Sequence, residues 1–273
     1  MIREVLFVLG ILVFAAAFRL WRHNWARKLG ALLLLVASFL TLFFLTDCPW
    51  AGGIAVIGWF FLPLLELVFR MKKKRFAVSS RLKNWDAPED EFFPNASKAL
   101  AGMAEGGFEH VGDAAWRWAG MEQFHRLHWN PEEKATAAVC LCEKENVAFA
   151  FIAIISRTED GRVFRTTNFP FSAKLKNPPE MDCNHVPCER NCFHHMLSDH
   201  REYLKKWSVN SEELTLPDPD LLEEEAAKEM ERIIAYNFEE GIITKVDEGH
   251  FRYSSRGLFF LWGQAVKDMI RLC

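Results

Sequence analysis

Three apolar runs open the chain and set the frame for the rest. Residues 5–18 (VLFVLGILVFAAAF) carry no charge, and the run extends to about residue 21. Residues 29–46 (LGALLLLVASFLTLFFLT) are uncharged throughout, and residues 51–69 are interrupted only by Pro63 and Glu66. A helix that crosses the hydrocarbon core needs roughly 17–25 apolar residues. The pattern therefore predicts three N-terminal transmembrane helices, at about 5–21, 29–46 and 51–69. Glu66 falls near the end of its run, where a carboxylate reaches the interface. Pro63 is a kink that neighbouring helices can absorb.

Beyond the basic stretch Arg70-Met71-Lys72-Lys73-Lys74-Arg75 the pattern changes. Residues 76–95 show no sustained period and read as a tether. Residues 96–273 alternate between strand and helix signals and read as one soluble α+β domain. Residues 96–104 suit a short helix stopped by Gly106-Gly107, and 108–121 are ambiguous. Residues 135–142, 147–156 and 163–168 are three strands joined by short polar turns. Connections that short allow only an antiparallel β-meander. The middle strand, VAFAFIAIIS, is apolar on both faces, so helices must cover each side of the sheet.

Residues 169–190 hold four prolines and read as a surface connection. Residues 191–207 form a helix with Phe193, Leu197, His200, Leu204 and Trp207 along one face. Residues 220–238 form another, started by Asp220 and stopped by Gly241, with Leu222, Ala226, Met230, Ile233 and Phe238 as its apolar stripe. A hairpin over 242–253 follows. A last helix, over 256–272 and bulky at Leu258-Phe259-Phe260-Leu261-Trp262, offers a membrane-surface reading, but its few charges (Lys267, Asp268, Arg271) give no strong basic face, so packing against the sheet is the expectation.

Charge adds a direction. Arg19, Arg22, Arg27 and Lys28 lie between the first two runs and a basic cluster follows the third, while Asp47-Cys48-Pro49-Trp50 has no Lys or Arg. The positive-inside rule then places the C-terminal domain in the cytoplasm and, with three crossings, Met1 outside. A multi-pass protein of a bacterial inner membrane is the expectation. A signal peptide cleaved near Ala15-Ala16-Ala17 is the competing reading of the first run, but it would strand the basic loop outside. Of the 33 basic and 36 acidic residues, 10 and 3 fall within 1–75, so 76–273 carries 33 − 10 = 23 against 36 − 3 = 33, a net charge of −10. Phosphate repels such a domain, which disfavours nucleic acid as a partner.

Candidate chemistry is sparse. Cys183, Cys188 and Cys192, with His195 beside them, are zinc-ligand types in one short stretch. Their spacing departs from paired zinc knuckles, so ordinary loop and core cysteines are the simpler reading, and a reducing cytoplasm opposes a disulfide. Cys140 and Cys142 share one strand face and read as packing residues. His200, on an apolar helix face, is either a core histidine with its hydrogen bonds satisfied or an acid–base group in a cleft. His125 and His128 are not assignable to a face. Phosphate-loop, dinucleotide, nucleophile-elbow and HExxH motifs are absent, and no cofactor other than zinc is suggested.

The helix over 220–238, Gly241-Ile242-Ile243, the hairpin and Phe251-Arg252-Tyr253-Ser254-Ser255-Arg256-Gly257 together resemble the wing of winged-helix proteins. The resemblance implies a recognition helix, yet that helix carries Glu223, Glu224, Glu225, Glu229 and Glu231, which implies a degenerate or protein-contacting version. The expected function is an interaction or sensory module held at the lipid bilayer and contacting a protein partner. A membrane-tethered enzyme or metal/redox protein using Cys183–Cys192 and His200 is the rival, and a membrane-bound winged-helix regulator the third reading.

Overall fold

The computed structural model describes residues 2–21, 23–78, 96–118, 121–144, 147–187 and 192–271. The chain divides into two units. One comprises the first 74 residues and the segment from Tyr253 onward, the other Arg75–Arg252.

The first unit is helical. Helices α1 (Ile2–Leu20), α2 (Asn24–Thr46) and α3 (Pro49–Arg70) follow the three apolar runs. The turn between α2 and α3 is tight. Asp47 adopts a left-handed φ of 52°, its amide bonds to the Phe43 carbonyl, and Pro49 opens α3 with a φ already suited to a helix. Small residues set the helix spacing, as apolar bundles require when backbones pack closely. A Cβ on Gly30 would lie 2.8 Å from the Ala15 carbonyl oxygen, and one on Gly52 would lie 2.7 Å from the Phe39 ring. Between α2 and α3, the Trp59 indole donates to the Ser38 hydroxyl at 2.9 Å. Substituting Gly30 by Val should force α1 away from α2, at about 1–3 kcal/mol for an overpacked contact. Thermal denaturation in detergent checks this, with Gly53→Val, where a Cβ meets nothing, as the control.

Two of these helices are long and apolar enough to cross a membrane: 22 residues within α2 and the 22 of α3. The expected three are corrected to two. Helix α1 carries Arg3, Glu4 and Arg19 within its 19 residues, and charges at both ends shorten the uncharged stretch below a full crossing. The last helix, α7 (Ser255–Arg271), also belongs to this unit. Where the sequence suggests packing against the sheet, α7 lies on α3. Trp262 stacks on Phe61 with ring centroids 5.3 Å apart, and its indole donates to the Phe60 carbonyl at 2.6 Å.

The second unit is α+β. Strands β2 (Glu109–Trp118), β3 (Met121–Asn130), β4 (Ala135–Lys144), β5 (Val147–Arg157), β6 (Val163–Thr167) and β7 (Met181–His185) form a sheet in that order. Neighbours from β2 to β6 are antiparallel, and β7 runs parallel to β6. The meander expected at 135–168 is thus β4–β5–β6. Two features go beyond it: the ambiguous segment is the hairpin β2–β3, and the proline-rich connection contains β7. One face of the sheet presents Phe124, Val139, Leu141, Ile152 and Ile154 to α4 (Ala96–Glu105) and α5 (Phe193–Lys206), forming the main core. Phe108 meets Phe193 edge-on at 5.1 Å within it.

Side chains alternate along a strand, so Arg157 and Arg165 point to the opposite face from Ser156 and Thr166. There they meet α6 (Leu222–Glu239), which starts after Asp218 accepts the Asp220 amide rather than at an Asp220 cap. Gly241, at φ 66°, lets the Ile242 amide return to the Asn237 carbonyl and ends the helix. The expected hairpin is β8 (Ile243–Asp247) with β9 (His250–Tyr253), and β1 (Phe76–Ala77) adds a third strand in the order β1-β9-β8. Phe76 pairs with Phe251. The expected tether therefore begins as a strand, and its residues 79–95 lie outside those described.

Candidate functional site

Among the four metal candidates, Cys183 is half-buried on β7, opposite Arg165 of β6. Cys192 is exposed at the residue before α5, and His195 is exposed on the first turn of that helix. Cys188 lies outside the described residues. Among the described residues, no three His, Cys, Asp or Glu side chains come together as a metal site requires. His194 instead faces Glu105 at 3.1 Å on the exposed surface.

His200 is buried in the core between two strands. Its Nδ1 lies 2.9 Å from the Thr166 hydroxyl and its Nε2 lies 3.1 Å from the Ser156 hydroxyl. Burial lowers its pKa to about 4, so the ring is neutral at physiological pH and both nitrogens are occupied. A serine–histidine contact here has a threonine where a triad has a carboxylate, and only 2% of the residue is exposed. This geometry suits a packed polar bridge rather than proton transfer to a substrate.

On the opposite face, Arg157 and Arg165 converge on α6. Arg157 reaches Glu225 and Glu229, each at 3.2 Å, and Arg165 pairs with the other oxygen of Glu229. Arg165 Nε has no hydrogen-bond partner among the described residues. Val163, Arg165, Asn177, Asp182, Cys183 and Glu229 line a recess here with room for about one water molecule. Two guanidinium groups face Glu225 and Glu229, with Asp182 also lining the recess, so no positive charge is left over to recruit an anion. The cluster's evident work is to pin α6 to the sheet.

Farther along the same face, Cys140 Sγ lies 3.1 Å from His125 Nδ1. Burial pushes the thiol well above its usual range and draws the imidazole down to about 4. Both are neutral, the reverse of the thiolate–imidazolium pair that a cysteine nucleophile needs. Cys142, also buried, is pushed up to about 12.

What remains beside this pair is aromatic. Phe149 and Phe151 on β5 meet Phe169 and Phe171 from the loop after β6, with ring centroids between 4.8 Å (Phe151–Phe169) and 6.0 Å (Phe149–Phe169). Phe171 is 43% exposed and the other three are half-buried. Nothing in the local pattern joins these four rings, because two sit in an apolar strand and two in a proline-rich loop. The available signal was the repeated F-x-F, at Phe149-Ala150-Phe151 and Phe169-Pro170-Phe171, since a period of two puts both rings of a pair on one side.

No protein family, curated protein or solved structure matches this chain. The helix–hairpin order of α6, β8 and β9 that carries the winged-helix resemblance is present, with the acidic side chains Glu223, Glu224 and Glu225 in the first turn of α6.

Proposed function

We propose that this protein is a membrane-held interaction module whose acidic unit docks a protein partner on the Phe149–Phe151–Phe169–Phe171 surface. The observation that carries the reading is Phe171, a large apolar ring exposed at the rim of three others. Clustered aromatic rings that remain partly wet typify binding surfaces, where one or two anchors supply most of the affinity. A partner complementary to the net acidic 76–273 region presents an apolar anchor within a basic rim.

Helices α2 and α3 are assigned as the two crossings of a bacterial inner membrane. The basic residues Arg27, Lys28 and Arg70 to Arg75 flank the pair at one side, and the turn at Asp47–Trp50 has none, which supports a cytoplasmic position for Arg75–Arg252. An external Met1 rested on a third crossing, and two crossings no longer require it.

Affinity capture of the full-length protein, crosslinked in its native membrane before detergent extraction, tests the docking surface. Wild type should retain a protein that Phe171→Glu loses, with thermal unfolding of the variant measured alongside to show that it still folds, since the ring is 43% exposed. Identical captured sets from the two proteins would remove the aromatic surface from the proposal.

A further inference from the structure

We infer that α7 is embedded in lipid against α3 at mid-bilayer depth, so that the C-terminal helix closes the membrane module. The inference rests on the reading of α3 as a crossing. Phe60 stands eleven residues after Pro49 and ten before Arg70. At 1.5 Å per residue that is about 15 Å from either end of α3, the centre of a hydrocarbon core about 30 Å thick. A helix whose Trp262 stacks on Phe61 and bonds to the Phe60 carbonyl is therefore at the depth of the acyl chains.

The backbone of α3 explains why the contact forms there. Pro63 has no N–H to offer the Trp59 carbonyl, and its ring presses on that turn, opening the hydrogen-bond ladder. In hydrocarbon a loosened carbonyl finds no water, and a neighbouring helix must supply the donor. The Trp262 indole donates in that same turn, to the Phe60 carbonyl beside the one that Pro63 leaves without its N–H. Trp59 meanwhile turns its own indole to Ser38 of α2. The bundle α2–α3–α7 is thus joined by two indole hydrogen bonds around one proline.

The rest of α7 has the matching surface. Gly257, Leu258 and Leu261 are buried, while Phe259 is 58% and Ile270 61% exposed. These exposed rings and branches continue the outward apolar side chains of α3, Phe61, Leu62 and Leu65, which are 45%, 52% and 54% exposed. Acyl chains are the occupant that suits a surface shared by both helices. Arg256 precedes the apolar stretch, and Lys267 and Arg271 follow it on either side of Asp268, where the long Lys and Arg side chains reach toward polar headgroups. Only the ten residues 257–266 of α7 run without a charge, fewer than a full crossing needs, so docking on α3 holds it in place. The Arg75–Arg252 segment is then an insertion between two membrane helices, and its entry and exit strands are paired at Phe76 and Phe251.

The test is carbene photolabelling of the full-length protein in phosphatidylcholine–phosphatidylglycerol vesicles, using a hydrophobic diazirine that partitions into acyl chains. Adducts are then mapped by peptide mass spectrometry. Peptides containing Phe259 and Ile270 should be labelled as strongly as those of α3, and Phe259→Glu should lose the α7 adducts while α2 and α3 keep theirs. Labelled α2 and α3 with unlabelled α7 overturns the inference and leaves the crossings standing, a result that a soluble partner covering Phe259 would also give. Absence of label from α2 and α3 overturns the membrane reading beneath it. If Phe259→Glu does not accumulate in membranes, the wild-type label ratio of α7 to α3 decides alone.

Discussion

Replacing Glu229 by alanine should destabilise the Arg75–Arg252 unit by about 3–5 kcal/mol, the usual cost of removing one partner from a buried ion pair. Glu229 is 7% exposed and its two oxygens serve Arg157 and Arg165 separately. Without it, two guanidinium groups stay in a partly desolvated cleft, where Arg157 keeps Glu225. Burial already draws the pKa of both arginines down, the sign of a charge held where water is scarce. Glu229→Gln keeps the shape and one hydrogen bond, so its loss should be smaller. Glu224→Ala is the control, since its pair with Lys228 is more than half exposed on both sides and screened by solvent, so no comparable loss is expected. Denaturant unfolding of the full-length protein in detergent reads the three variants. A loss under about 1 kcal/mol for Glu229→Ala would show that water repairs the cluster and that α6 is held by its apolar contacts.

Acidification should weaken the same unit between about pH 6.5 and pH 4. His128 and His200 are 6% and 2% exposed, and burial is the first cause that lowers each to about 4. In the unfolded chain each titrates near 6.5. Across that window the unfolded state binds more protons than the folded one, so stability rises with pH and is lost as pH falls. The loss starts as pH drops through the unfolded value and is complete below the folded value. Each histidine is worth about 3 kcal/mol on this count. His125, also drawn down to about 4, adds in the same direction. Asp160 and Asp247, whose carboxyls are held low by hydrogen bonds to Thr158 and His250, act at lower pH still. Unfolding measured at pH 7.5, 6.0 and 4.5 gives the profile, and His200→Gln should flatten it by roughly a third. A profile level from 6.5 to 4.5 would mean that these rings are protonated while folded.

Local periodicity was enough for most elements, because burial of one face repeats along the chain at 3.6 or 2 residues. Helices α2 and α3, the β4–β5–β6 meander, α5, α6 and the β8–β9 hairpin all follow from it. Periodicity failed where an element is short, mixed or defined by its neighbour. Strand β7 is five residues of Met181-Asp182-Cys183-Asn184-His185 amid prolines, and it exists because β6 offers a parallel edge. In β2 and β3 polar residues occupy much of both faces, so alternation is faint.

The candidate sites divide along the same line. The sequence by itself determined which residue types were on offer: the cysteines and histidines near 183–195, His200 on an apolar helix face, and the acids of α6. Only the tertiary structure decided what they meet. Ser156 and Thr166 stand 44 and 34 residues from His200, and Arg157 stands 72 from Glu229, distances over which no repeat carries information. Glu229 displaced the expected Ala226 and Met230 as the most buried residue in the middle of α6, because two arginines awaited it on the sheet. Helix α7 was legible as an apolar helix, but its partner was not: an apolar face suits a sheet or another helix equally. The contacts of Trp262 with the Phe60 carbonyl and the Phe61 ring of α3 decided between them.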